Sequence, residues 1–279
     1  MKLFQRLLVA PAALGLMAPL AANADVTAVS NESDLSSEVI QARVDGVEAQ
    51  LGELQAGSFS STTTMSGKAA FVTGYVEDDE EEDSDKITSN YMYQLNMNTS
   101  FSGDDLLYTR LKAGNFTKKG RFQDKGNGTF LSAGKAGEGE LKVDKIWYQF
   151  PVGESLQVWV GPLIENYYML ASAPSIYKPV TKQFALGGNA STYGSSTSPG
   201  FGVAWTQEVD DASDARFAAS LNYTSKVGGT DPEVGLFSDA DKARNFLLGK
   251  VEYGSPQWQV SAAFANKTGG NKYDGYYHT

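Results

Sequence analysis

Apolar and polar residues alternate with a period of two through most of the chain. The clearest stretch places Tyr93 and Leu95 on one side and Gln94 and Asn96 on the other. Nine segments of about ten residues repeat this pattern, and strands of that length with one apolar and one polar side are typical of transmembrane β-barrels. Strands of soluble sandwiches are usually nearer five or six residues. The alternation therefore predicts an all-β, antiparallel transmembrane β-barrel.

The lengths of the connections support the same fold. Long and tight connections alternate between the predicted strands, as in outer-membrane barrels, which have long external loops and short periplasmic turns. We therefore expect the long connections to lie on one rim. The long predicted connections are 77–86, 117–140, 164–199 and 226–243.

The N-terminal part has a different pattern. Residues 1–24 combine a basic start, an apolar run and a small-x-small cleavage pattern, which predicts a signal peptide and hence export. Residues 25–57 are read as a linker and a short coiled-coil helix, which either self-associates or docks on the following domain. Residues 58–279 are assigned to the barrel. Apolar residues spaced as in a heptad repeat support the helix: Ile40, Val44, Val47, Leu51 and Leu54.

Composition excludes several function classes. The chain has 23 basic and 33 acidic residues, a net charge of −10, which disfavours a nucleic-acid partner. It has no cysteine, and its single histidine is His278. Thiol chemistry, a serine–histidine triad and a histidine-ligated metal are therefore not expected. We predict no catalytic residues, metal or cofactor, and no enzyme activity.

Four sequence blocks resemble a known family. The leader MKLFQRLLVAPAALGLMAPLAANA and the segments FSSTTTMSGKAAFVTGYV, YQLNMNTSFSGDDLLYTRLKAGNF and KIWYQFPVGESLQVWVGP are similar to those of cyanobacterial outer-membrane porins. That family is related to the carbohydrate-selective porins and is often labelled an iron-uptake porin family. The resemblance implies a bacterial outer-membrane barrel of about sixteen strands with an aqueous lumen. It also implies outer-membrane lipid as surroundings and a homotrimer when the barrel is complete.

Two features differ from the family pattern. Members usually carry a cell-wall-binding domain between leader and coiled coil, whereas only residues 25–34 occupy that place here. Nine predicted strands are also an odd number, whereas bacterial single-chain barrels have an even one. We therefore expect an incomplete, C-terminally truncated barrel whose first and last strands leave open edges.

The polar side of the strands and the longest connection supply candidate site residues. Basic side chains on the inward face would favour anions or polarise sugar hydroxyls, although any lumen wall is polar. The connection 164–199 is expected to fold inward and narrow the pore. The predicted pore-lining residues are Arg110, Lys112, Lys145, Gln94, Asn96 and Gln149. The predicted constriction-loop residues are Glu165, Tyr167, Tyr168, Tyr177, Lys178 and Lys182.

Three functions remain open from sequence. The favoured one is passive diffusion of small hydrophilic solutes, such as carbohydrates and inorganic ions, through a water-filled lumen. One alternative is a structural envelope protein held together by a trimerising coiled coil, and another is a soluble exported glycan-binding β-protein. The acidic run 77–85 is interpreted as a solvated loop rather than a calcium site, because it lacks the ordered spacing of an EF-hand.

Overall fold

The computed structural model describes the chain in six stretches. The predicted signal peptide, the coiled-coil helix, the acidic run and the last nine residues lie outside the described residues, so those predictions stay untested. The described residues are 62–76, 86–117, 121–123, 129–194, 197–238 and 240–270.

Nine strands form one antiparallel sheet in sequence order, which confirms the predicted all-β fold. Each strand pairs with its neighbours along the chain. Within the described residues β1 and β9 do not pair with each other, so both are edge strands, as expected for part of a barrel. The strands are β1 (Thr63–Gly74), β2 (Thr88–Thr99), β3 (Leu106–Gly114), β4 (Lys142–Val152), β5 (Leu156–Ile164), β6 (Ser198–Thr206), β7 (Arg216–Ser225), β8 (Asn245–Ser255) and β9 (Trp258–Thr268).

One face of the sheet, here called the apolar face, carries side chains that other parts of the described chain leave largely uncovered. Directly opposed residues share a face, so the pairs Leu95–Leu111 and Tyr148–Val160 place these apolar positions together. Tyr91 and Val158 lie on the same face. A lipid-facing surface needs such side chains, because hydrocarbon cannot hydrate polar groups. Exposed apolar residues on this face include Phe71, Tyr93, Phe201, Val203, Leu221, Val251 and Phe264.

The opposite face is covered by the connection between β5 and β6, here called the long loop (residues 165–197). The loop contains two 3-10 segments, Asn166–Tyr168 and Lys182–Gly188, and a short helix, α1 (Ala190–Tyr193). None of the helices in the described stretches is long and apolar enough to cross a bilayer. We call this side of the sheet the loop-covered face.

Two apolar clusters hold the long loop on the sheet. Met169 packs with Trp147, Trp159 and Ala204, and a second cluster joins Leu170 and Tyr193 of the loop to Phe246 and Leu248 of β8. Gly202 allows the close approach on β6, because a Cβ atom there would lie 2.9 Å from the Cβ of Met169. The connection therefore packs on the polar face of the sheet, and that it narrows a pore stays a prediction.

A β-bulge interrupts β4 at Asp144. Arg110 pairs with Lys145, but the next residue of β3, Leu111, pairs with Val143, so Asp144 is an extra residue without a partner on β3. Strict alternation would place Asp144 on the apolar face, together with Ile146. The bulge instead turns its carboxylate to the loop-covered face, because an inserted residue shifts the phase of a strand by one.

Candidate solute site on the loop-covered face

The first part of the site is an ion cluster between β3 and the bulge. The Arg110 guanidinium donates to Asp144 from two nitrogens, with Nε 2.7 Å from Oδ2. The Lys135 ammonium donates to the other carboxylate oxygen at 2.9 Å. Both oxygens of Asp144 are therefore occupied by cations of the chain itself, which fixes the Arg110 side chain against the sheet. The Arg110 guanidinium also donates to the Tyr168 hydroxyl, at 3.4 Å.

A second ion pair joins β4 to the long loop. The ammonium of Lys145, which is almost fully buried, lies 2.5 Å from Oε2 of Glu165 and donates to the Thr197 hydroxyl at 3.1 Å. The Tyr167 hydroxyl donates to the same carboxylate oxygen. These contacts fix the start and the end of the loop to one strand, because Glu165 opens the loop and Thr197 closes it.

Burial and charge oppose each other at Glu165. Burial alone raises the pKa of this carboxyl, but the Lys145 charge and the hydrogen bonds from Lys145 and Tyr167 outweigh it and hold the pKa below its usual range. Burial raises the pKa of the Tyr167 phenol well above its ordinary value, and the negative charge of Glu165 adds to the rise. The pair therefore stays a carboxylate and a neutral phenol near neutral pH.

Aromatic rings pack against each other beside these ion pairs. The Trp147 ring lies 4.1 Å from that of Tyr108 and 4.8 Å from that of Tyr168, measured between centroids. The Lys145 ammonium lies 5.1 Å from the centre of the Tyr168 ring, within range of a cation–π contact. Loop and sheet are therefore joined by rings as well as by charges.

A cavity of about 390 Å³ opens between the sheet and the loop. Among the described residues, six basic side chains and only two acidic ones line it, an excess of four positive charges. Lys182 of the loop also lies over the Phe130 ring, 5.3 Å from its centre. The charged lining residues are Lys68, Arg110, Lys112, Lys135, Lys145, Lys182, Asp144 and Glu165.

The structure brings most of the predicted site residues together. Gln94 lines the cavity and donates to Asn96 at 2.9 Å, and Gln149 accepts from Trp159 at 2.9 Å on the same face of the sheet. Of the predicted loop residues, Glu165, Tyr167, Tyr168 and Lys182 lie at the ion cluster or the cavity. Tyr177 and Lys178 do not: they lie in an exposed part of the loop away from the cavity wall.

Sequence reasoning missed Asp144 and Lys135. A signal for Asp144 was present, because a carboxylate at a lipid-facing position of an otherwise apolar strand side indicates a bulge. The sequence held no such signal for Lys135, because this residue lies in a long connection where apolar and polar residues do not alternate regularly. The predicted basic wall is therefore partly neutralised: Asp144 pairs with Arg110, and Glu165 pairs with Lys145.

A second polar cluster lies under the loop at β8 and β9. Lys250 is buried, pairs with Glu252 and donates to the Ser172 hydroxyl at 2.8 Å. Gln259 donates to Ser172 at 2.7 Å and to Glu252 at 2.5 Å. A cavity of about 320 Å³ lies beside it, so polar groups follow the loop-covered face from β3 to β9.

Comparisons with known proteins point in the same direction. The chain is 30% identical over 141 residues to an uncharacterized protein of Nostoc sp., covering 47% of this chain and 24% of that protein. It is 28% identical over 159 residues to an uncharacterized protein of Synechocystis sp., covering 55% and 29%. The matches thus span about a quarter of the length of these relatives. Residues 20–267 match the family model described as carbohydrate-selective porin, OprB family. The chain therefore belongs to the OprB family of carbohydrate-selective porins, as its resemblance to cyanobacterial porins predicts.

Proposed function

We propose that the protein passes small hydrophilic solutes, including carbohydrates and inorganic ions, across the outer membrane by passive diffusion. The family is one of outer-membrane channels rather than enzymes, which supports a function without a chemical step. The loop-covered face would form part of the wall of a water-filled lumen. The width and charge of that lumen then decide which solutes pass.

The observation that carries this proposal is the position of the long loop. It lies on the polar face of the sheet and is held there by the Lys145–Glu165 ion pair and by the Met169 and Leu170 clusters. A loop fixed inside a lumen narrows it, so the cavity beside Tyr167 and Lys182 is the proposed constriction. The predicted roles of the pore-lining residues rest on this placement.

The apolar face argues against the soluble glycan-binding alternative. Phe71 is 83% exposed and Phe264 is 65% exposed, and many other large apolar side chains share their face. Soluble monomers rarely expose so large an apolar patch. Homotrimeric assembly stays a prediction, as does the structural role of the coiled coil.

Planar-bilayer and liposome-swelling measurements test the proposal. We expect the complete barrel that contains these strands to give steady ion conductance and to admit sugars at rates that fall with sugar size. Tyr168→Ala should speed the entry of the larger sugars, because it removes a ring between sheet and loop. Tyr177→Ala, in the exposed part of the loop, is the matched control and should leave the rates unchanged. Absence of conductance, or sugar entry independent of size, would contradict passive diffusion through this lumen.

A further inference from the structure

The charge of the cavity beside the long loop suggests a solute class. We propose that this cavity is a binding site for a small anionic solute, carrying a phosphate or carboxylate group, with Lys112 as its principal contact. The inference rests on the proposed function, since it concerns the same constriction. It adds a preference: solutes that carry an anionic group are held there, whereas neutral sugars only pass.

The two acidic residues of the cavity are already satisfied. Asp144 receives Arg110 on one oxygen and Lys135 on the other. Glu165 receives Lys145 and Tyr167 on Oε2 and Thr197 on Oε1. Neither carboxylate therefore has a free oxygen turned to a passing cation. The remaining positive charge of the cavity is not balanced by the described residues that line it.

Lys112 is the cation with the greatest need of a partner. Within the described part of the chain its ammonium makes no hydrogen bond or ion pair. The positive charges of Arg110, Lys182 and Lys135 repel it, whereas Asp144, whose two oxygens already accept from Arg110 and Lys135, attracts it. An anion placed at Lys112 would be attracted by all of these cations, and charge-assisted hydrogen bonds to a phosphate or carboxylate are stronger than neutral ones.

The size and remaining lining of the cavity suit a small organic anion. Its volume of about 390 Å³ lies within the range of small-molecule sites. Gln94 and the Tyr167 ring also line it and could contact the uncharged part of such a solute. Lys68 lies on β1 directly opposite Gln94 and extends the positive wall toward the sheet edge.

Titration calorimetry of the full chain in detergent measures binding without any need for conductance. The probes are glucose 6-phosphate, inorganic phosphate and glucose, each at low and at physiological ionic strength. We expect both phosphates to bind, more weakly as salt rises, and glucose to bind at least about tenfold more weakly than glucose 6-phosphate. Glucose binding as tight as that of glucose 6-phosphate would overturn the proposal.

Two variants locate the site. Lys112→Met should weaken glucose 6-phosphate binding about tenfold or more, the loss of one charged hydrogen bond. Lys178→Met is the matched control, because Lys178 lies in the exposed part of the long loop away from the cavity wall. Lys68→Met removes an exposed cation and should cause a smaller loss of affinity for glucose 6-phosphate. This variant tests the site independently if Lys112→Met alters the fold. Unchanged affinity in both cavity variants would overturn the assignment.

The outcomes separate this inference from the proposed function. If sugars pass but glucose 6-phosphate binds no more tightly than glucose, the anion site is refuted and the proposed porin function stands. Phosphate binding in a protein that never conducts would refute passive diffusion and leave the site.

Discussion

The two ends of the loop-covered face hold the long loop in different ways. At β3 to β5 the contacts are ionic, with Lys145 bound to Glu165 beside an open cavity. On β7 the contacts are neutral: Asn166 donates to Asn222 at 2.7 Å and accepts from Thr224 at 2.9 Å. An apolar cluster that includes Leu170 and Phe246 packs beside them, and the charged Lys250–Glu252 pair meets the loop farther along, at Ser172.

The difference separates anchoring from selection. At the neutral end Asn166, Asn222 and Thr224 are buried against each other, so their contacts hold the loop in place. The ionic end also holds the loop, but its surplus of cations faces an opening. A single loop can therefore be anchored on β7 by neutral contacts and present a charged constriction beside β3 and β4. This division predicts distinct effects for substitutions at the two ends.

Glu165→Gln should have the largest effect. It leaves the buried Lys145 ammonium without its partner, and removing one member of a buried pair costs about 3–5 kcal/mol. The matched control is Glu140→Gln, which breaks an ion pair whose side chains are both 62% exposed and should cost at most about 1 kcal/mol. Thermal unfolding in detergent measures both. Equal losses of thermal stability in the two variants would show that the ionic end does not hold the loop.

Asn166→Ala should have the next largest effect, at the neutral end. The substitution leaves the Thr224 hydroxyl and the Asn222 side chain short of a buried partner, at a cost of about 1–3 kcal/mol. Single-channel recordings should also show larger current noise, because the loop loses part of its anchor, whereas anion preference stays the same. Ser175→Ala, in the exposed part of the loop, is the control. A change in ion preference with Asn166→Ala would mean that anchoring and selection are not separate.

Asp105→Asn should have the smallest effect on thermal stability, and that effect should depend on pH. Its carboxylate accepts from the backbone N–H of Ser102 and from the Tyr148 hydroxyl, and these bonds hold its pKa below the usual range. Because the folded pKa lies below the unfolded value, its stabilisation is complete above about pH 4 and is lost as pH falls further. The Asp105→Asn variant should therefore unfold at a lower temperature than the parent at pH 7. The difference between the two unfolding temperatures should become smaller as the pH falls. A gap independent of pH would contradict this role.

Most of the fold follows from alternation alone. Tyr93 and Leu95 fall on one side of β2 and Gln94 on the other, because a pleated strand offers only two directions. Connection lengths then set the antiparallel order. The bulge at Asp144 is an exception to the same rule, and its signal in the sequence is the single acid that interrupts the apolar side of β4.

The site was only partly predictable. Arg110, Lys112 and Lys145 lie on the face that their positions predict, and Glu165 lies in the connection expected to fold inward. Their pairing depends on where the loop settles, and that is decided by contacts such as Met169 on Gly202 that have no sequence period. For the same reason Tyr177, an aromatic loop residue like Tyr167, could not be recognised as lying outside the cavity.

The bulge at Asp144 works as a change of phase in the strand. Without the bulge Asp144 would lie on the apolar face and Val143 on the loop-covered face, so the inserted residue keeps an aliphatic side chain, and not an acid, on the apolar face. A deletion of Asp144 should then behave unlike a deletion elsewhere in β4. It would restore regular pairing, with Lys145 opposite Arg110 and Val143 opposite Leu111, and would remove only a carboxylate, whereas a deletion elsewhere would shift part of the strand by one residue and exchange its two faces.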